Sequence, residues 1–305
     1  MAHNQLDWIA VDWGTSNLRV WLFAAENRLI AHAGSDRGMG QLVPDQFEPA
    51  LLDLIGGYLP AGRVTPVICC GMVGARQGWV EAPYASTPCA PPTALEAIAP
   101  AVADPRLDVR ILPGVKQDHP ADVMRGEETQ IAGYLSANPG YDGVLCLPGT
   151  HTKWAQISAG QITGFQTFMT GELFSLLLKH SVLRHSLTDK GWEDAAFGNA
   201  VGDAMSAPEK LSARLFSIRA EGLLHGVPSA TLRARLSGCL IGLELAAARR
   251  FWQGPKIMII GDGALSAHYA RALSLQGITA GLTGVEKLTL AGLTAAYTNL
   301  KETNT

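Results

Sequence analysis

Cysteine is scarce in this chain, and its positions are wrong for cross-linking. The five residues Cys69, Cys70, Cys89, Cys146 and Cys239 are odd in number and contain no Cys-x-x-Cys spacing. That argues against a disulfide framework and against a structural zinc site. Mostly set among apolar neighbours, they read as small core residues. Charge is also sparse, at 17% of residues with a formal net charge of −3, and the clustered basic face of a nucleic-acid binder is missing. Long apolar runs are absent too: the longest, residues 236–248, is short of a membrane span and contains Glu244. The first residues lack a basic segment followed by an apolar run and a small-residue cleavage site, so no export signal is expected. A cytoplasmic protein that binds neither nucleic acid nor membrane is the default expectation, and the residues select no oligomeric state.

What is present is a chain rich in core residues. Of 305 residues, 47% are hydrophobic, enough for two domains of ordinary size. The breaker Asn138-Pro139-Gly140 marks the boundary between a domain over 1–138 and one over 139–305. Each half predicts a three-strand antiparallel start followed by alternating strands and helices. In the first half, strands are expected over 8–13, 18–23, 29–33, 64–70 and 109–112. A helix is expected over 46–59, a short one near 93–99, a loop over 113–120 and a helix beginning near Gly126. In the second half, strands are expected over 144–147, 153–157, 162–168, 256–260 and 278–280. Helices are expected over 171–180, 214–224 and 231–251, then one ending at 275 and a last one over 285–300.

Residues 8–23 carry the first chemical signal. Ile9 and Val11, then Leu18, Val20 and Leu22, repeat every second residue as paired strands do. Gly14-Thr15-Ser16-Asn17 between them is a tight turn. Asp12 closes the first strand, and that combination suits a polyanion. The N–H groups and hydroxyls of Gly14, Thr15 and Ser16 can bind phosphate oxygens, while the carboxylate holds a metal directly or through water. An ordinary hairpin with a polar turn is the competing reading.

The same order returns 135 residues later in Pro148-Gly149-Thr150-His151-Thr152-Lys153, with Leu147 in the place of Asp12. Two hairpins can grip one phosphate chain while only one carries the metal ligand. A nucleoside triphosphate needs that neutralisation, by donors and Mg2+, before an oxygen nucleophile can approach. Lys153 reads equally as a surface-strand cation, and His151 as a donor to substrate or a buried imidazole. Further on, Gly261-Asp262-Gly263 follows a buried strand and precedes a helix, a place where glycine lets the backbone approach a ligand closely. Ser266 stands where Gly-x-Gly-x-x-Gly needs its third glycine, so a turn facing a mononucleotide fits better than a dinucleotide fold. Asp262 alternatively caps the helix.

Glu127 and Glu128 follow Gly126 at a helix start. Acids are favoured there by the helix dipole alone, but one of them could also take a proton from an attacking hydroxyl. Arg76 and Gln77 lie in a glycine-rich loop after a buried strand. There they could receive a carboxylate or hydroxyls, or Arg76 could be a plain surface cation.

Five blocks, residues 11–16, 70–79, 122–130, 147–154 and 168–174, together with the helix 236–244, resemble the motifs of 2-keto-3-deoxy-galactonate kinases (2-dehydro-3-deoxygalactonokinases). The resemblance covers nearly the whole chain and places it in the sugar-kinase, hexokinase and actin superfamily. It implies an α/β fold of two ribonuclease-H-like domains, mixed sheets with helices, closing around a nucleotide cleft. It also implies ATP and Mg2+, a sugar-acid substrate, and transfer to the 6-hydroxyl of 2-dehydro-3-deoxy-D-galactonate in galactonate catabolism. Asp12 would serve Mg2+. Gly14, Thr15 and Ser16 would form the first phosphate hairpin, Gly149, Thr150, His151, Thr152 and Lys153 the second, and Gly261 and Gly263 the adenosine-side turn. Arg125-Gly126-Glu127 holds the place of the Gly-Asp that supplies the base in related kinases, which favours Glu127 over Glu128. Arg76, Gln77, Met39, Thr170 and Glu172 complete the set as substrate-side candidates. A kinase for a related acid such as 2-keto-3-deoxygluconate, and an actin- or chaperone-type nucleotide-driven protein, are the alternative readings.

Overall fold

The computed structural model describes residues 5–187 and 190–303. By contacts the chain divides into two compact units: residues 1–141, 158–164 and 285–305 form the first, and residues 142–157 and 165–284 the second.

The first unit begins with β1 (Leu6–Trp13), β2 (Leu18–Ala24) and β3 (Arg28–Ser35), continues through α1 (Phe47–Ile55), and adds β4 (Thr65–Gly71). β5 (Tyr84–Ser86), β6 (Leu107–Ile111), β7 (Gly114–Gln117) and β8 (Asp122–Met124) follow, then α2 (Glu127–Ala137). The main sheet has the order β3-β2-β1-β4-β6. Its first two pairings are antiparallel, and β4 joins β1 and β6 in parallel. Alternation along β1 sorts its two faces. Ile9, Val11 and Trp13 pack with Val20, Leu22, Val67, Cys69 and the apolar side of α1. Trp8 and Ala10 turn the other way and pack with Trp21, Phe23, Ile68 and Cys70. The residues expected as a loop over 113–120 instead contain β7, which pairs with β5 and β8 in a small separate sheet. The helix expected near 93–99 is a single 3-10 turn at Ala94–Glu96.

The second unit opens with β9 (Gly143–Leu147), β10 (Thr152–Ser158) and β11 (Gln161–Phe168). Then come the helices α3 (Thr170–His180), α4 (Asp194–Ser206), α5 (Leu211–His225), α6 (Ser229–Ala247) and α7 (Arg249–Trp252). β12 (Ile257–Ile260), α8 (Gly263–Ser274) and β13 (Gly281–Thr283) complete it. Its sheet order, β11-β10-β9-β12-β13, repeats that of the first unit. β9 pairs antiparallel with β10 and parallel with β12, which is parallel to β13. The strand expected over 278–280 lies three residues later, because residues 275–278 are used to end α8 through hydrogen bonds from Leu275, Gln276, Gly277 and Ile278 to its last turn.

The last helix, α9 (Val285–Thr303), was expected with the second domain but packs in the first unit, on α2, β1 and β4. Its Leu293, Ala296, Tyr297 and Leu300 cover the Trp8 face of the sheet. Helix contact is close because both partners carry glycine: a Cβ on Gly133 of α2 would strike Leu288 O, and one on Gly292 of α9 would strike Thr129 O. The second unit uses the same device, since Cβ atoms on Gly238 and Gly242 of α6 would crowd the α4 carbonyls of Phe197 and Val201. Among the described residues no helix is long and apolar enough to cross a membrane.

Candidate active site

In the first unit the chemistry collects where β1 and β4 end and α2 begins. Asp12 lies on the Trp8–Ala10 face, at the last residue but one of β1. Its carboxylate is about a quarter exposed and stands 3.7 Å from the Arg19 guanidinium, a loose ion pair across the β1–β2 register. Burial raises its pKa from the ordinary aspartate value, the Arg19 charge pulls it down, and the Glu127 charge pushes it up again. Glycine makes this approach feasible. Gly71 has φ +91°, and its missing Cβ would lie 2.7 Å from Trp13 O and 3.5 Å from an Asp12 carboxylate oxygen. Gly126, at φ +105°, faces Gly71 at 3.4 Å in the same sense.

The two acids at the start of α2 have different tasks. Glu128 is 2% exposed, and both its carboxylate oxygens accept from Gly126 N–H, at 2.8 and 2.7 Å. Burial, with the Glu127 charge added, pushes its carboxyl up to about 7. Glu127 is half-buried and accepts from Arg125 N–H at 3.2 Å. Glu128 thus caps its own helix start, and Glu127 is the one whose charge acts on Asp12. A single carboxylate such as Asp12 suits a hard divalent cation that keeps most of its shell from phosphate and water.

The hairpin turn after Asp12 is held from its backbone side. Gly14 N–H donates to Asn17 O, and the loop below it donates Met39 N–H to Gly14 O and Gly40 N–H to Thr15 O, all at 2.9 Å. Thr15 and Ser16 are exposed. Met39 therefore serves the turn through its main chain, while its side chain is 8% exposed and belongs to the core around Trp13. Arg76 is 80% exposed and pairs with Glu81 at 3.3 Å, and Gln77 is exposed beside it.

In the second unit the hairpin between β9 and β10 rests on the start of α3. Glu172 N–H donates to Thr150 O at 2.9 Å, and the Glu172 carboxylate meets His151 Nε2 at 2.5 Å. A Cβ on Gly171 would collide with Gly149 O, so this packing also depends on a glycine. Gly149 and Thr150 line a cavity of about 340 Å3, together with Thr170, Gly171 and Phe174 of α3, Arg233, Ser237, Leu240 and Ile241 of α6, and Ala264, Leu265 and His268 of α8. Trp192 closes one side, stacked on His268 at 3.8 Å. The cavity thus joins the second hairpin to the helix that begins at Gly263, two stretches the sequence marked separately. Gly261 has no room for a side chain, because Ser266 Oγ occupies that position. Asp262 stands at the N-cap position of α8 in extended backbone, without a side-chain hydrogen bond to the first turn.

Other expected site residues are placed differently. Lys153 is 6% exposed rather than a surface cation. The Thr152 hydroxyl points inward, 2.9 Å from Tyr269 OH, and the Thr170 hydroxyl donates to Glu244. Thr152 is thus committed to the interior, while Thr170 lines the cavity and gives its hydroxyl to Glu244. Glu244, Trp154 and Tyr269, which receive these bonds or join them, were not singled out from sequence. A signal existed, since Glu244 is the one charge inside the apolar run 236–248, and a buried acid needs partners.

Comparison with known proteins identifies the family. Residues 12–296 match the family model of 2-keto-3-deoxy-galactonokinase. A 2-dehydro-3-deoxygalactonokinase of Escherichia coli is 34% identical over 273 residues, 88% of this chain and 90% of that protein. A Rhizobium meliloti protein assigned the same activity is 40% identical over 294 residues, covering 94% and 95% of the two chains. A crystal structure of a Sinorhizobium meliloti protein with that assignment superposes with a TM-score of 0.89 at 38% identity, over 96% of this chain and 99% of the other. More distantly, the ADPNP-bound activator of 2-hydroxyisocaproyl-CoA dehydratase from Clostridium difficile shares the fold at a TM-score of 0.52 and 11% identity, over 97% and 96%. The chain belongs to the 2-keto-3-deoxy-galactonokinase family.

Proposed function

We propose that this chain transfers the γ-phosphoryl group of ATP to the terminal 6-hydroxyl of 2-dehydro-3-deoxy-D-galactonate, in the cytoplasm, as a step of galactonate catabolism. The observation that supports the reading is that Asp12, at the end of β1, feels the charge of Glu127 at the start of α2. Asp12 is desolvated and only loosely paired with a cation, and Glu127, whose charge it feels, stands half-buried at the start of α2. Asp12 is the residue to hold Mg2+, which when bound would neutralise phosphate charge. Glu127 takes the proton of the 6-hydroxyl as its oxygen attacks the γ-phosphorus. The bond from that phosphorus to the bridging oxygen breaks, and ADP leaves with the electron pair. Gly14, Thr15 and Ser16 on one hairpin and Gly149, Thr150 and His151 on the other supply donors to the phosphates. The cavity beside Gly263 takes the nucleoside, its apolar walls Phe174, Leu240 and Ile241 suiting a base and Ser237 and Arg233 a polar edge. Arg76 and Gln77, on their exposed loop, are the candidates for the sugar-acid carboxylate.

A coupled ADP-release assay with a panel of sugar acids tests this reading. Turnover with 2-dehydro-3-deoxy-D-galactonate well above that with 2-keto-3-deoxygluconate is the expected result. The reverse order would move the substrate to the epimer. ATP turnover that ignores every sugar acid and responds to a protein partner would overturn the kinase reading.

A further inference from the structure

The hydrogen bonds around Glu244 do more than bury an acid safely. Glu244 sits on α6 at 2% exposure. One carboxylate oxygen accepts from Trp154 Nε1 at 2.7 Å, and the other accepts from Tyr269 OH at 2.7 Å and from the Thr170 hydroxyl. Tyr269 has a single proton, which it gives to Glu244, so the Thr152 hydroxyl donates to Tyr269 at 2.9 Å. One side chain of α6 therefore gathers β10 through Thr152 and Trp154, the first turn of α3 through Thr170, and α8 through Tyr269. Those three elements carry the second hairpin, the helix start it rests on and the turn at Gly261–Gly263. Glu244 does not line the cavity they form, whereas Thr170 does.

We propose that Glu244 is a positioning residue for nucleotide binding: it sets the second hairpin, the α3 start and the α8 turn in register with one another while touching no ligand itself. The proposal rests on the reading of that hairpin as a phosphate site. An acid serves better here than an amide. A carboxylate offers acceptors only, and all three donors arriving at it need acceptors. Glutamine would keep the shape but point its NH2 at donors, forcing one of the three elements to shift.

The test compares wild type with Glu244→Gln, Tyr269→Phe and Thr170→Val, measuring Mg-ADP binding by calorimetry, both KM values, kcat and thermal unfolding. Glu244→Gln is expected to raise the nucleotide Kd and the KM for ATP by ~10-fold or more, the scale of one lost buried hydrogen bond, with the KM for the sugar acid nearly unchanged. Tyr269→Phe and Thr170→Val should each produce a smaller shift in the same direction. A residue that only stabilised the fold would lower the melting temperature and the active fraction and leave both KM values alone. That outcome, or nucleotide binding at wild-type strength in folded Glu244→Gln, overturns the proposal. Should Glu244→Gln fail to fold, the two single-donor variants decide, and wild-type KM for ATP in both overturns it. Wild-type protein that binds no Mg-ADP would instead refute the phosphate-site reading on which the proposal stands.

Discussion

The two units repeat one sheet, yet they hold their hairpin turns by different means. In the first, support is main chain to main chain: Met39 N–H to Gly14 O, Gly40 N–H to Thr15 O, and Gly38 pressed against Thr15, Ser16 and Asn17 with no side chain to intervene. In the second, one main-chain bond, Glu172 N–H to Thr150 O, is joined by a set of side chains converging on a buried carboxylate, with His151 and Glu172 outside it. The chemistry differs in parallel. The first hairpin follows Asp12, and the second follows Leu147, buried at 3% exposure in the matching place. A turn held by backbone leaves neighbouring side chains free to carry charge. A turn held by side chains uses up its hydroxyls, as Thr152 and Thr170 illustrate.

Five substitutions, in four tests, would break or sharpen that comparison. The largest effect is expected from Glu127→Gln, which removes the proposed base beside the first hairpin and should lower kcat by ~10²–10⁴-fold. Steady-state kinetics showing near-wild-type turnover would end that assignment. Next is Gly38→Ala: a methyl there runs into backbone of the turn, and overpacking of this kind costs ~1–3 kcal/mol. Gly149→Ala, on the other hairpin, meets nothing within 4 Å and should unfold in denaturant like wild type. Equal midpoints for the two alanine variants would remove the claimed difference in support.

The third concerns pH. Burial pushes the Glu244 carboxyl up to about 7 from an ordinary 4.5, against the pull of Thr170, Tyr269 and Trp154. Between those values the folded protein keeps a proton on Glu244 that the unfolded chain has lost, and above about 7 Glu244 is the acceptor-only carboxylate. Stability therefore falls as pH rises through this window, by up to ~1.4 kcal/mol per pH unit. Glu244→Gln should flatten its share of the slope in melts taken across that range. A residual slope is expected from Glu128, raised in the same sense. An unchanged slope would mean that Glu244 titrates normally. The smallest effect is expected from Arg76→Ala. Its ion pair with Glu81 is exposed, so stability should change by under ~1 kcal/mol, while the KM for the sugar acid rises if the loop receives its carboxylate.

Period-two alternation made both hairpins legible, because each has one strand whose faces are sorted without help from distant parts. The strand order of the second sheet could be read off the first once Gly14-Thr15 and Gly149-Thr150 were aligned. β7 escaped because four residues in a proline-bounded stretch carry no usable period, and its partners β5 and β8 are equally short. α4 escaped because its Gly198 and Gly202 weaken helix propensity; its contact with Gly238 and Gly242 of α6 compensates. The site was legible where it rests on turns and acids near them. Met39 and Thr152 were placed on the ligand side because sequence distance cannot tell an inward hydroxyl or thioether from an outward one. Glu244 depends on partners 25 to 90 residues away, a distance local pattern does not reach.

The packing of α9 has a consequence for how the molecule is made. Trp8 stacks on Tyr297 at 4.5 Å, and Tyr297 OH donates to Asp7 at 3.0 Å. The start of the chain thus waits for nearly its end, and the whole second unit is synthesised in between. On a ribosome, where domains form in order of emergence, the first sheet is the earliest to appear and the last to be sealed. Until α9 arrives, one face of β1 stays open to solvent, and the residue that closes it is encoded 289 codons after the tryptophan it covers.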